Sequence, residues 1–235
     1  MTLSARRSGA RTALLASLLA AAPAARAGSI LALTGVDVSN HSLYGYAGAI
    51  ATLKGGSGDS GPLVRLWWDR LTYDFMGAPG KVDANSWGES ASLGWQRTHA
   101  SGMVSGYVGV DARNTTLTPS VSSRSAGEHT GARFELDVDQ RFCSDWRFNG
   151  IGSFVTGSDD YWARGQWLYA LKGGLAAGPE TVWMGNPDYD AHRFGVALAG
   201  VPIYKSLKAS IDAGYDKNSN EPAGAYGSVG LTASF

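Results

Sequence analysis

Cysteine occurs once in the 235 residues, at Cys143, so no internal disulfide forms and no paired-cysteine metal spacing exists. With no His or Lys beside it, Cys143 reads as a buried or turn residue rather than a reactive thiol. Histidine is scarce: His41, His99, His129 and His192 are dispersed and fall mostly in expected turns. The sequence has no G-x-S-x-G elbow and no H-E-x-x-H pair, and no cofactor or metal is expected. Runs of Lys and Arg are missing after the first residues, which argues against nucleic acid as a partner. Beyond residue 27 no segment sustains the 3.6-residue apolar period of an amphipathic helix.

What is present starts with an export signature. Arg6, Arg7 and Arg11 precede a short apolar run from Ala13 to Ala22, and Ala25-Arg26-Ala27 has the small-x-small form of a cleavage site. The run is too short to cross a bilayer as a helix. Residues 1–27 are therefore expected to be a signal peptide, and 28–235 the mature domain of 235 − 27 = 208 residues. Four of the 20 basic residues and none of the 20 acidic ones lie in that segment. The mature chain thus has 20 − 4 = 16 basic against 20 acidic residues, a net charge of −4.

The rest alternates with period two. Segments near 29–38, 42–54, 62–76, 87–98, 102–113, 130–142, 145–156, 160–172, 174–184, 189–200, 204–216 and 224–235 read as twelve strands between Gly, Pro, Asn, Asp and Ser turns. Several are 11–15 residues long, enough to cross a membrane at a tilt. The third, fifth and eleventh connections, "MGAPGKVDANS", "NTTLTPSVSSRSAGEH" and "DKNSNEPAG", are expected to be long outer loops. The second, "KGGSGDSG", is long for a periplasmic turn. Aromatic residues, among them Trp67, Trp68, Tyr73, Phe75, Trp87, Trp95, Tyr107, Phe142, Trp146, Tyr161, Trp183, Tyr189, Tyr204 and Tyr215, cluster near strand ends, as interfacial girdles do. The closing "AYGSVGLTASF" alternates and finishes on Phe235, like the assembly signal of bacterial outer-membrane barrels. These signs predict an all-β, up-and-down transmembrane barrel of about twelve antiparallel strands, in contact with outer-membrane lipid and monomeric.

"GARFELDVDQRF" (131–142) decides which face is wet. Arg133, Glu135, Asp137, Asp139 and Arg141 alternate with Ala132, Phe134, Leu136, Val138, Gln140 and Phe142. A single Arg costs about 2–4 kcal/mol at a bilayer midplane, so the charged set must face the lumen. The same parity supplies lumenal Asp111 and Arg113, Arg147 and Asn149, Arg164 and Gln166, Glu180, and Lys208 with Asp212. Tyr46, Tyr107 and Trp162 share that face and are candidates to stack on sugar rings. Such a lumen either braces a barrel too wide for apolar filling or serves as a polar conduit or binding surface. In "LVRLWWDRLTYDF" Arg65 and Asp69 share one face and Arg70 and Asp74 the other, which suggests a bulge between them. His192, in the strand "DAHRFG", is the one candidate for a lipid- or glycan-modifying enzyme.

"LYGYAGAIATLKG" (43–55), "LVRLWWDRLTYDF" (63–75), "GYVGVDARNTTLTP" (106–119), "YWARGQWLYAL" (161–171), "AAGPE" (176–180), "HRFGVALAG" (192–200) and "GAYGSVGLTASF" (224–235) together resemble the cellulose-biosynthesis protein BcsS family of Gram-negative bacteria. The resemblance implies an envelope protein of the outer membrane linked to cellulose production. A glucan chain and cellulose synthase subunits are then candidate partners. It carries over no catalytic residue. A non-enzymatic accessory of exopolysaccharide secretion is the expectation, with a general small-solute porin as the alternative and a membrane-embedded enzyme behind both.

Overall fold

The computed structural model describes residues 27–53, 60–77, 80–219 and 222–235. Residues 1–26 of the expected signal peptide and most of the second connection (54–59) lie outside the described residues, while Ala27 opens the first strand. Twelve strands follow one another: β1 (Ala27–Ser39), β2 (Ser42–Leu53), β3 (Gly61–Gly77), β4 (Gly80–His99), β5 (Gly102–Thr118), β6 (Gly127–Arg141), β7 (Trp146–Val155), β8 (Asp160–Ala170), β9 (Ala176–Asn186), β10 (Tyr189–Tyr204), β11 (Leu207–Asn218) and β12 (Gly224–Ser234). Each pairs antiparallel with the next, and β1 pairs with β12, closing the barrel. Closure satisfies every strand edge, the condition for sheet structure inside a bilayer.

The wall sorts its side chains as the alternation requires. Val108 and Val110 on β5, Phe134 and Leu136 on β6, Phe194 and Val196 on β10, and Val229 on β12 point outward and are exposed. Two aromatic belts bound this band. Trp68, Trp87, Trp183 and Tyr215 form the outer one; Trp95, Phe142, Trp146, Trp167, Tyr169 and Tyr204 form the periplasmic one. Trp87 and Trp95 lie eight residues apart on β4, which at ~3.4 Å per residue and a tilt of about 40° spans roughly 21 Å. That matches the apolar band of an outer-membrane barrel. Five of the aromatics assigned to girdles by sequence turn inward instead: Trp67, Tyr73, Phe75 and Tyr189 line the lumen, and Tyr107 is buried.

Glycine makes room for some of these rings. Gly35 faces Tyr46, Gly48 faces Trp67 and Gly94 faces Tyr107 across neighbouring strands. A Cβ on Gly35 would sit 2.7 Å from the Tyr46 ring, and one on Gly94 2.5 Å from that of Tyr107. The rings lie flat on the wall because the opposite residue has no side chain. Gly200, at φ +78°, takes the left-handed conformation where β10 shifts register against β11.

Two expectations need correction. β3 pairs without interruption with both neighbours, so no bulge separates Arg65 and Asp69 from Arg70 and Asp74. Arg70 and Asp74 face outward on the outer part of β3, beyond Trp68, where Arg70 donates to Asn85 Oδ1 (3.3 Å) and Asp74 meets His41 and Lys81. Their charge is tolerated because water, not lipid, surrounds that part of the wall. The third and fifth connections are also shorter than expected. β4 begins at Gly80 and β5 runs to Thr118, so the strands project past the membrane and the fifth loop is only 119–126. Val82, Ala84 and Leu117 form an apolar cluster there, joined by Tyr73, Phe75, Val121 and Ala126.

Candidate functional site

β4 determines where the lumenal charges go. Its inward residues are small: Ser86, Gly88, Ser90 and Ser92, all buried. Long side chains from β3, β5 and β6 fold across this shallow strip. Arg113 on β5 reaches over Gly88, where an added Cβ would sit 2.7 Å from its Nη2. It donates from Nη1 and Nη2 to both oxygens of Asp69 on β3 (3.0 and 3.1 Å). Its Nε also lies 3.5 Å from Asp160 on β8. Arg65 on β3 pairs with Glu135 on β6, crossing two strands. Glu135 also accepts from Arg133 (3.1 Å), which reaches Asp111 at 3.3 Å.

The opposite wall is organised around carboxylates. Arg193 on β10 donates to both oxygens of Asp37 on β1 (2.7 Å each) and lies 3.4 Å from Asp216. Gln166 on β8 donates to Glu180 (2.6 Å) and Asp212 (3.3 Å). Tyr226 donates to Glu180 at 2.9 Å and Ser228 to Asp212 at 2.7 Å. Arg164 donates to Asn149 (3.2 Å), and its Nε is buried without a hydrogen-bond partner among the described residues.

These groups bound a cavity of about 340 Å³ in the outer half of the lumen. Its walls run from Asn40, His41 and Ser158 at the rim down to Arg65, Glu135, Arg164, Glu180 and Asp212. Next to that layer, lumenal Leu63, Ser105 and Leu168 are only 1–2% exposed, so the lumen is constricted at this level. Trp162 on β8 is the sequence-assigned aromatic that lines the cavity without a stacked ring, with the Arg164 guanidinium 5.8 Å from its ring centre. Tyr46 lines it too but stacks on Trp67 (4.8 Å between ring centroids, 11° between planes). Arg65 lies over Trp67 at 4.4 Å and over Tyr107 at 5.7 Å, so the Tyr107 ring is covered.

The remaining sequence-assigned residues lie lower. Asp137 is lumenal, with a buried oxygen lacking a hydrogen-bond partner among the described residues. Asp139, Arg141, Arg147, Asn149 and Lys208 sit at the periplasmic end, where Arg147 donates to Asp139 at 2.7 Å. Sequence reasoning missed Asp37, Arg65, Trp67, Asp69, Asp160, Asp188 and Arg193 as site residues. The parity of Leu63, Arg65, Trp67, Asp69, Leu71 and Tyr73 on β3 was the available signal, obscured by the outward charges further along. His192 faces outward between Trp183 and Lys217 in register, and has no hydrogen-bond partner among the described residues. Other histidine contacts go to Asp74 (His41), Gln140 (His99) and the Ala126 carbonyl (His129).

A roof closes the outer mouth. The 119–126 loop leans across the barrel, where the Ser123 hydroxyl (2.6 Å) and the Ser125 amide (3.0 Å) donate to Asp188 between β9 and β10. Tyr73 meets Tyr189 from the far wall at 5.8 Å. Partial burial pushes the Asp188 carboxyl up, but the bonds from Ser123 and Ser125 outweigh it and hold it below its ordinary value. A depressed carboxylate contributes stability above its unperturbed pKa and loses it as pH falls through its own lower value. A spin label at Arg124 is therefore expected to stay immobile at neutral pH and to loosen only below about pH 4. Loosening near pH 6 would remove Asp188 as the latch.

A family model described as cellulose biosynthesis protein BcsS matches residues 31–235. Among solved structures, the KdgM porin in complex with disordered oligogalacturonate is 12% identical, covering 87% of this chain and 99% of that one, with a TM-score of 0.51. An outer membrane channel from Pseudomonas putida F1 is 12% identical over 89% of this chain and 96% of that one, at TM-score 0.55. The β domain of the Bordetella autotransporter BrkA is 12% identical over 89% and 100%, at 0.52. At this identity the likeness is one of fold. A comparison with curated proteins finds no match.

Proposed function

Because the chain belongs to the cellulose biosynthesis protein BcsS family, we propose that it is a non-enzymatic outer-membrane accessory of cellulose production that holds a glucan segment in its lumen. The observation that carries the reading is the roofed outer cavity, lined by carboxylates, arginines and the Trp162 ring. Carboxylates accept from sugar hydroxyls, guanidinium groups donate to them, and an indole stacks on the apolar face of a pyranose. Ionic groups already paired with one another suit a neutral polyhydroxylated ligand better than a charged solute. KdgM, a barrel of the same fold, is known in complex with an oligogalacturonate. Synthase subunits would meet the periplasmic connections.

The test is an in-frame deletion with cellulase-sensitive glucan measured separately outside the cell and in the periplasm. A fall outside, with Trp162→Ala reproducing it in part, is the expected result. Unchanged pools in the deletion would remove the cellulose role and bring the porin reading forward. Residues 1–27 are proposed to direct export, and amino-terminal sequencing of the membrane-inserted protein is expected to begin at Gly28. An intact amino terminus would overturn that cleavage.

A further inference from the structure

The rim where β6 ends and β7 begins carries cations that the fold does not neutralise. Arg141 and Arg147 stand directly opposite one another on the lumenal side. Like charges in a cross-strand pair repel, so stability alone does not account for them. Asp139 takes hydrogen bonds from Arg147, whereas the Arg141 guanidinium has no partner among the described residues. Lys172, in the β8–β9 connection, and Lys208, at the start of β11, are exposed and unpaired among the described residues. Lys205, between β10 and β11, lies 5.0 Å from the centre of the Tyr204 ring. The described acids at this rim are Asp139 and Asp145. In the middle of the barrel, by contrast, Arg65, Arg113, Arg133 and Arg193 each hold at least one carboxylate.

We propose that this arc, spanning three successive periplasmic connections from β6 to β11, is a docking surface for an acidic polypeptide segment. The inference rests on the orientation of the barrel and not on the cellulose link. A small anion would engage one pair of cations; a ligand meeting the whole arc is extended and repeatedly negative. Lipid headgroups fit less well. Arg141, Arg147 and Lys208 turn toward the lumen, and Lys172 lies beyond Tyr169, an aromatic of the periplasmic belt. A polypeptide fits better than an acidic glycan because Phe142 and Tyr204, 59% and 66% exposed, stand at the strand ends where the belt borders the β6–β7 and β10–β11 connections, and a chain passing over the rim from the lumenal cations meets their edges.

The barrel in nanodiscs of neutral phosphatidylcholine is titrated with a fluorescent polyglutamate peptide. Binding is expected to be saturable and to weaken as salt rises. Lys172→Glu combined with Lys208→Glu should reduce affinity by about tenfold or more, and Lys81→Glu at the opposite rim should leave it unchanged. Absence of binding at low salt, equal binding by the reversed variant, or tighter binding of polygalacturonate would each overturn the proposal. So would charge-reversal sensitivity seen only with phosphatidylglycerol vesicles. If the reversed variant does not insert, the exposed Cys143 beside Phe142 reports on the wild-type rim. Polyglutamate must slow its labelling by a maleimide, and unchanged labelling rejects the surface.

Discussion

Arg113→Met is expected to cost the barrel about 3–5 kcal/mol of folding stability, measured by urea unfolding from detergent micelles. The guanidinium serves carboxylates from three strands: Asp69, Asp111 and Asp160. Its removal leaves Asp69 and Asp111, both 2% exposed, facing each other's charge in a packed wall. Arg133 still reaches Asp111 at 3.3 Å, so Asp69 bears most of the loss. The side chain of Arg113 is itself 16% exposed, which limits the contribution of water to relieving the orphaned carboxylates. Arg147→Met is the matched control. That pair lies at the open rim with the arginine side chain half exposed, so its loss should stay below about 1 kcal/mol. Equal small losses for both variants would mean that lumenal water screens the network, and that these ion pairs decorate the barrel rather than brace it.

The second large effect concerns passage through the barrel. The wild type is expected to conduct ions poorly in planar bilayers, and Arg65→Ala combined with Glu135→Ala to raise conductance several-fold. The pair crosses the lumen between β3 and β6 below the cavity, and Arg65 also covers the Trp67 and Tyr107 rings. Single substitutions are poorer probes. Glu135→Ala would leave Arg65 without its carboxylate beside Arg133, which keeps Asp111, and the cost of that unpaired buried cation would obscure any opening. The double change removes the chord and both charges together. If the wild type already conducts like an unobstructed twelve-strand pore, the layer is not a barrier, and the general-porin reading becomes the better one.

The architecture was largely legible because a strand has only two faces. Five charges alternating with apolar residues over 131–142 admit one orientation in a bilayer, and the closing strand repeats the logic. Height along the barrel was not legible. Alternation says which face a residue occupies, not whether lipid or water lies outside it, so Arg70 and Asp74 looked like a fault in β3. The same blindness made a loop of residues 80–86, which are strand above the membrane. Partners across the lumen were hidden for another reason. Arg193 and Asp37 are 156 residues apart, and their meeting depends on strand tilt and stagger that no local pattern encodes. Asp188, in a two-residue turn, offered no sign that a loop from across the barrel would settle on it.

The rings laid over glycines restrict how this wall can change. At Gly35 and Tyr46, Gly48 and Trp67, and Gly94 and Tyr107, a methyl group added to the glycine collides with the ring before it reaches anything else. Gly35 is therefore dispensable only after its ring is gone, whereas at Gly94 the Gly106 carbonyl oxygen, 2.6 Å from the added Cβ, would still be met. Mutation must take the ring and its glycine together and in one order, so the aromatic lining drifts as coupled pairs, as the buried ion pairs around it also must.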